Sequence, residues 1–123
     1  METGKKYTNT LVVEEKHLAC NVGSGDLAVF ATPMMMALME NAAMLCVADE
    51  LEEGYSTVGG QISSSHIKPT GLGRTVSATA ELIEVDGRKL KFNVSASDEE
   101  GVIGEGTHLR FIVGKEKFMS KVK

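Results

Sequence analysis

A chain of 123 residues with 42% hydrophobic residues and a net charge of −4 at pH 7 has the size of one domain, 1–123, with a real core; roughly two-thirds of the unfolded surface is buried at this length. The acidic balance excludes general nucleic-acid binding, which needs a concentrated basic face. Two cysteines, Cys20 and Cys46, make neither a disulfide framework nor a metal-ligand spacing.

The N-terminus, Met1-Glu2-Thr3-Gly4-Lys5-Lys6, has no apolar signal segment. With thiols expected to be reduced, the expected location is the cytoplasm. Thr10 to Val13 reads as a first strand and Leu18 to Val22 as a second extended piece. Gly23-Ser24-Gly25-Asp26 is a loop by composition. Thr32 to Leu51 then reads as one helix of about five turns. Thr32 suits the N-cap, Pro33 the first helical position and Gly54 the stop. Glu40 and Asn41 break its apolar run, so no membrane span is expected.

After Gly54 the period changes from helical to alternating. Thr57 to Ile67 reads as a strand of small residues, ended by Lys68-Pro69. Val76, Ala78, Ala80 and Leu82 alternate with polar residues, as do Leu90, Phe92, Val94 and Ala96; both patterns are half-buried strands. Asp86-Gly87 between them signals a hairpin. Asp98 to Gly101 makes a second turn, Val102 to Val113 the last long strand, and Lys115 to Lys123 a basic tail. Consecutive hairpins imply an antiparallel sheet with the apolar helix on one face. The expected class is α+β: a hotdog fold, a curved antiparallel sheet of about five strands wrapped around one long central helix.

Glu40 does not fit its surroundings. On a helical wheel its neighbours within roughly 60° are Met36, Ala37, Ala43, Met44, Val47 and Leu51, all apolar. A carboxylate facing a core is costly unless paired. By strand parity His66 shares a face with Val58, Ile62 and Ser64, and it follows a run of small residues, Gly59, Gly60, Ser63, Ser64 and Ser65, that lets a ligand approach. A carboxylate beside it would fix its tautomer and raise its pKa, as suits a general base. Thr32 stands at the helix start, where unpaired N–H groups could stabilise an oxyanion and a hydroxyl could attack a carbonyl or orient water. Plainer readings stay open. Thr32 could be only a cap, His66 a satisfied core residue, and Glu40 an ion-pair partner of a strand residue such as Arg110. The methionines between Met34 and Met44 are core residues on this reading, with Met36 and the preceding Phe30 candidates for lining a pocket. His17 and His108 have no visible partners.

The segments Val29-Phe30-Ala31-Thr32-Pro33, Leu38-Met39-Glu40, Thr57-Val58-Gly59, Ser65-His66-Ile67-Lys68-Pro69-Thr70 and Gly106-Thr107-His108-Leu109-Arg110 resemble, in their order and spacing, the fluoroacetyl-CoA thioesterase-like family of hotdog proteins. The resemblance implies hydrolysis of a short-chain acyl-CoA by a homodimer, which could pair into a tetramer, with Thr32, Glu40 and His66 as the catalytic set. It implies that Gly59 meets the acyl group through its backbone, with Gly60 beside it, and that Arg110 lines the pocket. No metal or separate cofactor is implied, since CoA is part of the substrate. One departure stands out. Members tuned to the fluorinated acyl group have an aromatic lid before the helix, whereas here the stretch is Gly23-Ser24-Gly25-Asp26-Leu27. The alternative is a non-catalytic acyl-CoA-binding or sensing module. A hydratase is a weaker alternative, because the chain lacks an Asp-x-x-x-x-His motif.

Overall fold

The computed structural model describes residues 1–123. Five strands, β1 (Lys6–Val12), β2 (Tyr55–Ser64), β3 (Thr75–Asp86), β4 (Lys89–Asp98) and β5 (Gly101–Gly114), accompany helices α1 (Ala19–Val22), α2 (Thr32–Ala48) and α3 (Lys115–Met119). All strand pairs are antiparallel, in the order β1-β3-β4-β5-β2. The alternating residues of β3 and β4 fill the interior. Val76, Ala78, Ala80, Leu82, Leu90, Phe92, Val94 and Ala96 are all 3% exposed or less. Met35, Met39, Ala42, Ala43, Cys46 and Val47 of α2 complete this core. Alanines on both sides let the helix seat closely against the sheet. Each large side chain buried there contributes about 1.5–3 kcal/mol. Register shifts at Gly59/Gln61, Leu82/Glu84 and Ala96/Ser97 add the extra residues that bend strands, and the sheet curves around α2. No helix is long and apolar enough to cross a membrane.

Several boundaries differ from the sequence reading, each for a local reason. The first strand begins at Lys6 rather than Thr10. Its polar residues occupy an edge facing solvent, where hydrophobic alternation carries no signal. Of the Leu18 to Val22 piece only Leu18 is extended. Leu18 makes a lone bridge to Phe30, and the next four residues form one helical turn closed by Gly23 at φ 93°. α2 stops at Ala48, not Leu51. Asp49, Glu50, Glu52 and Glu53 would oppose the negative end of the helix dipole; instead Asp49 and Glu50 take the Lys5 ammonium at 2.6 and 3.2 Å. The β2 ladder ends at Ser64. Beyond it the chain still leans on β5 through Ser65 N–H to Glu105 O (2.9 Å) and Ile67 N–H to Ile103 O (2.7 Å).

The core-facing stripe of α2 is Met35, Leu38, Met39, Ala42, Ala43, Cys46 and Val47. Glu40 lies beside this stripe and is half-buried. Its flank continues through Met36 and Met44, half-buried, and Ala37 and Ala48, exposed. The outer side of this flank and the free edge of β2 are not covered by any other element of the chain.

Candidate active site

Thr32 opens α2, but it does not cap it. Ala31 is the N-cap, and no side chain caps the helix. The hydroxyl is committed elsewhere: Thr32 Oγ1 lies 2.7 Å from His66 Nδ1. Backbone bonds fix both partners. On one side Phe30 N–H reaches Thr70 O (2.8 Å) and Ala31 N–H reaches His17 O (2.9 Å). On the other, Ser65 and Ile67 are held to β5 and bracket His66. The second ring nitrogen, Nε2, is buried without a hydrogen-bond partner. Burial pushes the His66 pKa below its ordinary 6.5, against an opposing pull from the Lys68 backbone. The ring is therefore neutral at pH 7, with Nδ1 able to take the threonine proton. Thr32 and His66 line an open cleft of about 300 Å³ with Ala19, Ser24, Val29, Phe30, Ile67, Lys68 and Pro69.

Glu40 belongs to a second cluster. The space that a Cβ on Gly59 would fill has Glu40 Oε2 at 2.9 Å, His108 Cε1 at 3.4 Å and Arg110 Nη1 at 3.5 Å. Only the missing side chain allows three polar groups to converge there. Arg110, 7% exposed, donates from Nε to Thr57 Oγ1 (2.8 Å), from Nη2 to Thr57 O (2.9 Å) and from Nη1 to His108 Nε2 (3.2 Å). His108 Nδ1 lies 2.7 Å from Gln61 O. A carbonyl only accepts and a guanidinium only donates. His108 is thus the neutral Nδ1–H tautomer. Its pKa is lowered by burial first and by Arg110 as well, with the Gln61 carbonyl and Glu40 pulling the other way. Burial also lowers the Arg110 pKa, and Glu40 opposes that shift.

The pairing read from strand parity is therefore corrected. His66 partners Thr32, and no ion pair joins it to Glu40. The register shift at Gly59/Gln61 reverses the parity, so the buried Thr57 and the bare backbone of Gly59 turn toward α2, and Val58 does not share their face. Gly60 differs from Gly59 for the same reason. Its absent Cβ would run into the Phe111 ring on the outer face, away from Glu40. Phe30 lines the cleft and is also 1% exposed core. Met36 packs half-buried against the core and is not in the cleft wall. His108 is the residue the sequence reading missed. Its signal was the spacing of two from Arg110, which puts both on one face of a strand. The stretch Gly23-Ser24-Gly25-Asp26-Leu27 ahead of α2 has no aromatic residue, and its one large apolar side chain, Leu27, is 70% exposed.

Comparison with known proteins bears on the family and the fold. The sequence model of the fluoroacetyl-CoA-specific thioesterase family matches residues 13–116. The fluoroacetyl-CoA thioesterase of Streptantibioticus cattleyicolor is 40% identical over 131 residues, spanning 100% of this chain and 93% of that protein. A solved structure of a fluoroacetyl-CoA thioesterase superposes with a TM-score of 0.93 at 38% identity, covering 99% of this chain and 95% of the other. A threonine-to-serine mutant of such an enzyme, in complex with acetyl-CoA, gives 0.94 at 37% identity, covering 99% and 96%. A thioesterase superfamily member from Thermus thermophilus gives 0.90 at 26% identity, covering 97% and 88%.

Proposed function

The chain belongs to the fluoroacetyl-CoA-specific thioesterase family of hotdog proteins, and on that premise we propose that it hydrolyses a short-chain acyl-CoA to the free acid and CoA, with Thr32, His66 and Glu40 in the reacting set. The observation that carries this reading is the 2.7 Å contact between Thr32 Oγ1 and His66 Nδ1, within reach for proton transfer, in a cleft. Thr32 Oγ attacks the thioester carbonyl as its proton passes to Nδ1. The C–S bond then breaks, and the imidazolium returns the proton to the departing sulfur, giving CoA thiol. Water, with His66 again as base, releases the acid. The N-terminal end of α2 offers positive dipole potential at the carbonyl oxygen.

Glu40 needs a second copy to join this chemistry. Eight residues along one helix separate it from Thr32 by about 12 Å. A homodimer that covers the apolar flank of α2 and the open edge of β2 supplies Glu40 of one protomer to the Thr32–His66 pair of the other. There Glu40 orients the attacking water, while Gly59 leaves room for the acyl group and the positive charge of Arg110 favours the ionised carboxylate. The exposed loop ahead of α2, without an aromatic lid, argues against a preference for a fluorinated acyl group and for small unsubstituted ones. The test is release of free thiol from acetyl-, propionyl- and longer acyl-CoAs. Turnover highest with the shortest chains is expected. Saturable binding with no thiol release would instead make the protein an acyl-CoA-binding module.

A further inference from the structure

Asp98 is the most heavily bonded carboxylate in the chain, and the mechanism above does not use it. It ends β4, with its side chain 4% exposed. It accepts from Lys68 Nζ at 2.9 and 3.1 Å, from Thr70 Oγ1 at 2.9 Å and from Glu100 N–H at 2.8 Å. Burial would raise its pKa, but these donors outweigh burial and hold it at about 2. It is ionised throughout any practical assay range.

The partners matter because of what they carry. Lys68 is two residues past His66. Thr70 is 2% exposed, and its carbonyl accepts the N–H of Phe30, two residues before Thr32. One carboxylate therefore grips, through Lys68, the segment that presents His66 and, through Thr70, the segment that presents Thr32. Between Ile67 and Thr70 the chain has left the β5 ladder, so no sheet bond sets the relative placement of these two arms. Asp98 and Thr70 do.

We infer that Asp98, acting through Thr70 and Lys68, is a positioning residue that sets the distance between Thr32 and His66. The inference rests on the Thr32–His66 reading above. A displacement of about 1 Å in a reacting pair can cost up to about 100-fold in rate, so losing the clamp should lower kcat and leave KM nearly unchanged. The substitutions Thr70→Val, Thr70→Ser, Asp98→Asn and His66→Ala separate the possibilities, assayed by thiol release well below each variant's unfolding temperature. Thr70→Val and Asp98→Asn should each lose about tenfold or more in kcat at similar KM. Thr70→Ser, which keeps the hydroxyl, should retain most of it. Adding Asp98→Asn to His66→Ala should cost nothing further. Wild-type kcat in Thr70→Val and Asp98→Asn, with only a lowered unfolding temperature, would overturn the clamp. So would Thr70→Ser as defective as Thr70→Val. Full turnover in His66→Ala would instead overturn the underlying reading of the site.

Discussion

Thr32 is in a position where a threonine normally caps a helix, yet its hydroxyl is given to His66 and the helix goes without a side-chain cap. Forgoing a cap costs about 1 kcal/mol, and the hydroxyl instead meets His66 at a cleft. His66 is the base in this account, and its pKa is lowered by burial. Its neutral form, which accepts the proton, gains as pH rises. The pH–rate profile should therefore climb with a midpoint below 6.5 and be level by pH 8; a flat profile from pH 5 to 8 would remove His66 from that role. Gly59 tests the second cluster. A methyl there would meet Glu40 Oε2 at 2.9 Å and push the carboxylate aside. Gly59→Ala should cut turnover by about tenfold with little change in unfolding temperature. Glu40 itself was legible from the sequence as a carboxylate on an apolar helix, and so were Thr32 and His66 as candidates. Their pairing was not, because Glu40 lies against Gly59, seven residues before His66, and alternation fixes the face of a residue but not how far along α2 it sits.

At the scale of elements, the strong alternating segments β3 and β4 and the long helix were legible, because burial on one face imposes their period. Edges and ends were not. β1 is polar, α1 is a single turn, and the end of α2 is decided by acidic residues meeting Lys5. The seam between β5 and the segment that carries His66 depends on small residues. A Cβ on Gly106 would collide with the Ser63 carbonyl, and one on Gly104 with the Ser65 carbonyl and Met35. Backbone cannot yield as a side-chain tip can. Gly106→Ala should lower stability by about 1–3 kcal/mol, the usual scale of overpacking, read from denaturant unfolding. An unchanged midpoint would mean that β2 and β5 are not seated as closely as described.

The whole molecule is a single sheet wrapped on one helix, with one flank of that helix and the two sheet edges, β1 and β2, left open. The fold class was legible from element order alone. How Glu40 joins the Thr32–His66 pair was not, because eight residues of helical rise hold it about 12 Å from Thr32 within one chain. If the site forms between two copies, chains carrying His66→Ala mixed with chains carrying Glu40→Gln should regain up to about a quarter of wild-type activity, since each mixed dimer rebuilds one intact site. No recovery after verified subunit exchange would place all three residues in one protomer. The most direct measurement of the central claim is steady-state thiol release from acetyl-CoA by the wild type, His66→Ala and Glu40→Gln, each checked for native folding. The account predicts a fall of at least about 100-fold for each substitution, the scale of a lost general base. Wild-type turnover in either folded variant would contradict it.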